Sequence, residues 1–191
     1  QLVALSSSVS ESKVEVMANR IKDINPGCTV VEIEDFVTMD NFVSLLADDV
    51  DYVVDAIDNP KIKAMMIAHC KRIKLPILTM GGAGGQLDPT LVTLRDLSRT
   101  ENDPLAGRVR KELRKKYNFP EFKKQKFKVD CVFSMEQATY PSSNGETCNV
   151  KPNAEKGDPV KLDCASGFGA VTHVTATFGM VAVAKVLEKL K

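Results

Sequence analysis

Several residues in this 191-residue chain are of types that handle phosphate, and their spacing puts them at element ends. The run VDYVVDAIDNP closes a β-rich stretch on Asp55 and Asp58, just ahead of a helix opened by Pro60. A carboxylate at a strand tip, beside a helix N-terminus, suits a metal ion that bridges phosphates. The plainer reading is that Asp58 only caps that helix. Lys13 opens the first helix, from where an ammonium can reach phosphates near a strand end or simply sit in solvent. Cys164, in the run Asp163-Cys164-Ala165-Ser166-Gly167, directly precedes the final helix. The helix dipole favours a thiolate there, while Asp163 opposes it; a small residue in a tight turn is the alternative. Gly81-Gly82-Ala83-Gly84-Gly85 follows the apolar run PILTM. It does not complete a dinucleotide fingerprint, because counting GxGxxG from Gly82 lands on Leu87 and Asp88-Pro89 opens no helix. No GxxxxGK[ST] loop occurs anywhere. Such glycines let backbone or ligand approach closely at a strand end.

A second chemistry is carried by charge. Residues 1–60 hold 3 Lys/Arg against 12 Asp/Glu, whereas residues 108–128 hold 10 Lys/Arg against 2 Glu. The net charge of +1 therefore conceals an acidic end and a basic middle, and it argues against a uniformly basic nucleic-acid binder. Arg108, Arg110, Lys111, Arg114, Lys115 and Lys116 fall on one helix. Lys123, Lys124, Lys126 and Lys128 follow, with Tyr117, Phe119, Phe122 and Phe127 interleaved. Cations neutralise backbone phosphates and exposed rings stack on unpaired bases, so RNA is the macromolecule this segment suits; a solvated helix face over buried rings is the other reading. Five cysteines (28, 70, 131, 148, 164) include no CxxC, which leaves a structural zinc site without a basis. They read as reduced thiols, with Cys28, Cys70 and Cys131 as core residues, in a protein of the cytoplasm or an organelle interior.

The elements that must position these groups follow from periodicity. Val14, Met17, Ala18, Ile21 and Ile24 make residues 10–25 an amphipathic helix, with Ser8 or Ser10 as cap and Pro26-Gly27 as stop. CTVVEI reads as a short strand, and Asp40 leads a helix through NFVSLLA. VDYVVDAI is a strand, Pro60 starts the helix KIKAMMIAHCKRIK, and PILTM is a buried strand. Alternation of strands and helices with short joints gives an α/β fold, a Rossmann-like, mainly parallel sheet flanked by helices. Beyond residue 90, LVTLRDLS and VDCVFS read as strands, Asp103-Pro104 caps the basic helix, and 135–165 reads as a long loop. A division at about residue 90 follows, with 1–90 belonging to a nucleotide-binding domain and 91–191 to an extension. The last helix, from about Ser166 to Leu190, includes 18 consecutive uncharged residues, 167–184, the lower bound for a bilayer span. Its threonines, glycines and His173, with no basic flank upstream, favour a buried helix over membrane association.

VVDAIDN, ILTMGGAGGQLDPT, DLSRTENDPLAGRVRKELR, VDCVFSMEQATYP and DCASGFGAVTHVTATFGMVAV together resemble the tRNA threonylcarbamoyladenosine dehydratases. These are members of the ubiquitin-activating, ThiF/MoeB-like adenylating superfamily. GGAGGQLDPT and DCASGFG are the specific motifs, whereas the DxxDN turn is shared superfamily-wide. The resemblance implies an ATP- and Mg²⁺-dependent, ligase-type enzyme. It would activate the free carboxylate of threonylcarbamoyladenosine beside the anticodon as an acyl-adenylate, and intramolecular attack then expels AMP and closes the ring. By motif match, Lys13 contacts phosphate, Asp58 lies next to magnesium and Asn59 shares the nucleotide turn. Cys164 matches a cysteine of catalytic or sulfur-relay role. A tRNA partner, a homodimer and a sulfur-relay protein are implied with them.

The family's first strand, glycine-rich ATP loop, ribose-binding acid and Asn-Arg pair precede the position of Gln1, so the chain is expected to be a fragment lacking the N-terminal part of the nucleotide-binding sheet. The isolated chain is then expected to give no ATP–pyrophosphate exchange. Two other functions compete. One keeps the superfamily and adenylates the C-terminus of a ubiquitin-like sulfur carrier. The other is a non-catalytic RNA-binding or dimerisation remnant.

Overall fold

In this computed structural model, residues 5–122, 125–141, 147–148 and 169–191 are described, those at 147 and 148 by backbone alone. The chain divides into two units, Gln1–Thr38 and Met39–Lys191. The first unit carries α1, Lys13–Ile24. Its N-cap is Ser12, not Ser8 or Ser10, and the Ser12 side chain makes no capping bond; Ser10 instead adopts φ 78°. CTVVEI forms no strand. β-branched residues favour extended backbone, but a strand exists only where a neighbouring strand takes up its N–H and C=O groups. Here Val31 is 79% exposed.

The second unit contains a four-stranded sheet in the order β1-β2-β4-β3. Its strands are β1 (Val53–Asp55), β2 (Ile77–Met80), β3 (Val92–Asp96) and β4 (Asp130–Ser134). β1, β2 and β4 run parallel and β3 returns antiparallel to β4, so the fold is the mainly parallel α/β arrangement anticipated. Strands from both sides of residue 90 share this sheet. α2 is a single turn, Phe42–Leu45; α3 spans Pro60–Ile73 and α4 Pro104–Tyr117. α3 and α4 each open with Pro in the first turn and close on a left-handed C-cap, at Lys74 and Asn118.

Side-chain alternation along the strands sorts the two faces. Leu78 of β2 and Val132 of β4 pack against Val174, Phe178 and Ala182 of α5, Thr172–Leu190. Thr79 points the opposite way, toward α3, which in turn packs on α4. Each fully buried aliphatic or Phe side chain contributes about 1.5–3 kcal/mol. α5 starts at Thr172, residues 169–171 being non-helical, and the expected start at Ser166 lies outside the described residues. Among the described residues no helix is long and apolar enough to cross a membrane. Within the stretch read as loop, β5 (Tyr140–Pro141) and β6 (Thr147–Cys148) form a two-stranded antiparallel ladder.

Candidate active site

Ligands of open parallel sheets bind beyond the carboxyl ends of the strands, and β1 ends there on Asp55. That carboxylate is fully buried and fully engaged. Oδ2 accepts from Thr79 Oγ1 at 2.6 Å and lies 2.9 Å from Lys63 Nζ, while Oδ1 accepts from the Ile57 amide at 3.2 Å. The Asp55 and Lys63 side chains are 0% and 1% exposed. Asp55 therefore holds the turn together and has no oxygen facing an incoming metal. Lys63 also donates to the Ile57 carbonyl at 2.9 Å and the Asp55 carbonyl at 3.3 Å. Three residues on, Asp58 is exposed. The capping role belongs to its neighbour: Asn59 Oδ1 accepts from the amides of Lys61 and Ile62 at 3.0 and 3.3 Å. Such a cap stabilises a helix by about 1 kcal/mol, and its presence at Asn59 releases the Asp58 carboxylate for other work.

The glycine cluster at the end of β2 closes on a buried carboxylate, Asp103. Asp103 Oδ2 accepts from Gly82 N at 3.0 Å, while Oδ1 accepts from Ala106 N at 2.9 Å and so caps α4. A Cβ on Gly81 would sit 1.8 Å from Asp103 Oδ2, which no side-chain adjustment at position 81 relieves. Burial pushes the Asp103 carboxyl above its usual range, against the amides of Ala106, Gly82 and Leu105 and the charge of Arg110 that favour its ionised form. Farther along, Glu136 accepts from the amides of Leu87 and Asp88 at 2.9 Å each, and His173 Nε2 lies 2.8 Å from the Leu87 carbonyl. Gly85, at φ 70°, bonds through N to Gly169 O at 2.9 Å and through O to Thr139 N at 2.8 Å. The loop is thus clamped from three distant stretches of sequence.

The basic helix sorts its charges by face. Val109 and Leu113 are fully buried, and Arg108, Lys111, Lys115 and Lys116 are exposed. Lys116 pairs with Glu112 at 2.9 Å. Arg110 and Arg114 are half-buried and partly committed. Arg110 donates to Thr100 Oγ1, and Arg114 donates from Nε to the Pro120 carbonyl at 3.1 Å, 5.2 Å above the Phe127 ring. Both still line a cleft of about 600 Å³ with Arg95, Ser98, Arg99, Thr100 and Glu101, an arginine lining that sequence spacing did not reveal. Of the interleaved rings, Phe127 is buried and edge-packed on Phe119, whereas Phe122 is 76% exposed.

Lys13 is exposed at the first position of α1, in the first unit, while Asp58 and Asn59 stand in the second. Cys164, Lys123 and Lys124 lie outside the described residues. Cys70 and Cys131 are buried thiols, and burial pushes Cys70 up to about 11 and Cys131 higher still; neither is a nucleophile near neutral pH. Cys28 is exposed, against its reading as a core residue. Among the described residues no cluster of three or more His, Cys, Asp or Glu is arranged to hold a metal. Magnesium on nucleotide phosphates needs only one or two protein carboxylates, so the lone Asp58 fits that use.

The ThiF family model matches residues 1–191. Over 190 residues the chain is 49% identical to the tRNA threonylcarbamoyladenosine dehydratase of Escherichia coli (strain K12), covering all of this chain and 70% of that protein. Identity to the protein of the same name from Haemophilus influenzae is 47%, over 69% of its length. A solved structure named TcdA (CsdL) superimposes with TM-score 0.86 at 45% identity, covering 99% of this chain and 69% of that one. The E. coli tRNA N6-threonylcarbamoyladenosine dehydratase in complex with ATP superimposes with TM-score 0.82 at 43% identity, over 99% and 68% of the two chains.

Proposed function

This chain belongs to the ThiF family, and from that premise we propose that it serves the ATP-dependent dehydration of threonylcarbamoyladenosine in tRNA to the cyclic form. ATP, when bound, supplies an adenylyl group that converts the poor leaving oxygen of the carboxylate into a good one, and Mg²⁺ offsets phosphate charge. The observation that carries this reading is the Asp58 carboxylate. It projects exposed from the carboxyl end of β1, with capping delegated to Asn59 and the turn beneath it tied to Lys63. In this reading Asp58 holds the magnesium and Asn59 fixes the helix start beside it. Lys13 places its ammonium on phosphate, and Cys164 serves the later acyl step or a sulfur relay.

The tRNA is held on α4. Arg108, Lys111, Lys115 and Lys116 meet the ribose-phosphate backbone, Arg110 and Arg114 present their remaining donors in the arginine-lined cleft, and Phe122 offers a face for stacking. The same reading carries a homodimer and a sulfur-relay partner; sedimentation of the purified enzyme checks the former.

Incubation of the enzyme with ATP, Mg²⁺ and tRNA bearing uncyclised threonylcarbamoyladenosine tests the function. Nucleoside mass spectrometry is expected to show loss of one water, with AMP formed in step. Adenylation of a sulfur-carrier C-terminus, with the tRNA left unaltered, would move the assignment to the carrier-activating branch. RNA binding without AMP formation would leave only a binding module.

A further inference from the structure

Lys63 is a cation that the reaction as read above leaves unused. Its side chain is 1% exposed, in the first turn of α3, and a buried ammonium is costly unless all its donors are engaged. They are: Asp55 Oδ2 at 2.9 Å, the Ile57 carbonyl at 2.9 Å and the Asp55 carbonyl at 3.3 Å. Neutralising Asp55 requires only the first of these. The other two grip the backbone of the turn, and the Ile57 carbonyl belongs to the peptide unit that leads directly into Asp58. Because a peptide unit is planar and includes the next Cα, holding the Ile57 oxygen restrains where the Asp58 Cα can lie. On the far side, the Lys63 amide donates to the Asn59 carbonyl at 2.9 Å, and Asn59 Oδ1 holds the amides of Lys61 and Ile62. One residue therefore pins the chain before and after Asp58, through its ammonium and through its own amide.

We propose that Lys63 is a positioning residue, which sets the direction in which the Asp58 carboxylate meets magnesium and the triphosphate. The proposal rests on the reading of Asp58 given above. It also explains why an amine, and not an apolar residue, occupies a site on the core face of α3: an apolar chain cannot hold two carbonyls.

The deciding variant is the charge-neutral pair Asp55→Asn with Lys63→Met. It removes the ion pair as a unit, which buried sites tolerate far better than loss of one partner, yet it deletes both bonds to the turn. In the enzyme this variant is expected to melt within a few degrees of wild type. Its kcat should fall about 10- to 100-fold and its half-saturating Mg²⁺ concentration should rise, with KM for tRNA unchanged, as for a reacting group displaced by about 1 Å. Thr79→Val is the control, because it removes a hydrogen bond to Asp55 but none to the turn; it is expected to lower the melting temperature and leave kcat and the Mg²⁺ requirement alone. A pair that folds and turns over like wild type overturns the proposal. So does a pair that does not fold, since Lys63 then supports the core rather than aims the turn. Asp58→Asn, run in parallel, tests the underlying reading: if it loses about 100-fold in kcat while the pair loses nothing, only the role of Lys63 falls, and if it loses nothing both fall.

Discussion

The β1–α3 turn and the outer face of α4 both concentrate charge, and they use it in opposite ways. At the turn, Lys63 and Asp55 are out of water and saturated with partners, so their charges are spent on geometry. On α4, Arg108, Lys111 and Lys115 stand in solvent, where they contribute little to folding and remain available to a polyanion. The comparison separates stability from recognition: a charge that shapes the protein is buried and paired, and a charge that attracts a ligand is exposed.

The largest effect that can break this contrast is Lys63→Met alone. It leaves Asp55 buried without its counter-ion and is expected to cost about 3–5 kcal/mol of stability, read by chemical denaturation; a cost under 1 kcal/mol would mean that the pair carries no structural weight. On the other region, the triple change Arg108→Ala, Lys111→Ala and Lys115→Ala is expected to leave stability alone. It should weaken tRNA binding about 10- to 100-fold and flatten the logarithmic salt dependence by roughly 2, as for three lost phosphate contacts. Unaltered affinity in a filter-binding series would remove α4 from the RNA surface.

A third test sharpens the distinction within carboxylates. Asp96 is partly buried, and burial alone raises its carboxyl. Donation from the Ser98 hydroxyl and from the amides of Phe127, Ser98 and Lys128 outweighs that and holds it below the ordinary value of 3.8. A carboxyl lowered in the folded state stabilises the protein above its unfolded pKa and loses that contribution as pH falls through the folded value. Asp96→Asn is therefore expected to cost about 2 kcal/mol near neutrality, with the gap to wild type closing below pH 3.8. A gap that persists at lower pH would show that the hydrogen bonds act independently of charge. The smallest effect belongs to Phe122→Ala, expected to weaken RNA binding by about 1 kcal/mol with no change in melting temperature.

Sequence made the frame legible where local signals sufficed. Pro60 and Pro104 at helix starts, the Asp103 cap and the apolar runs of β2 and β4 all lie within a few residues of what they determine. CTVVEI was misleading, since β propensity describes one strand and says nothing about whether a partner is present. Asp103 was legible as a cap but not as the group that requires glycine at position 81, because that contact joins residues 22 apart in sequence. Lys63 was missed, although a signal existed. Lys63, Ile67 and Cys70 share the buried stripe of α3, and a lysine in such a stripe, with an aspartate at the end of the preceding strand, calls for an ion pair. Asp58 was legible as either a ligand or a cap, and the structure gives the cap to Asn59.

The most direct test of the account is steady-state turnover of Asp58→Asn across a magnesium titration, with tRNA binding measured on the same preparation. The account predicts a loss of about 100-fold in kcat that added magnesium does not restore, with tRNA affinity intact. Wild-type turnover at the wild-type magnesium requirement would contradict it.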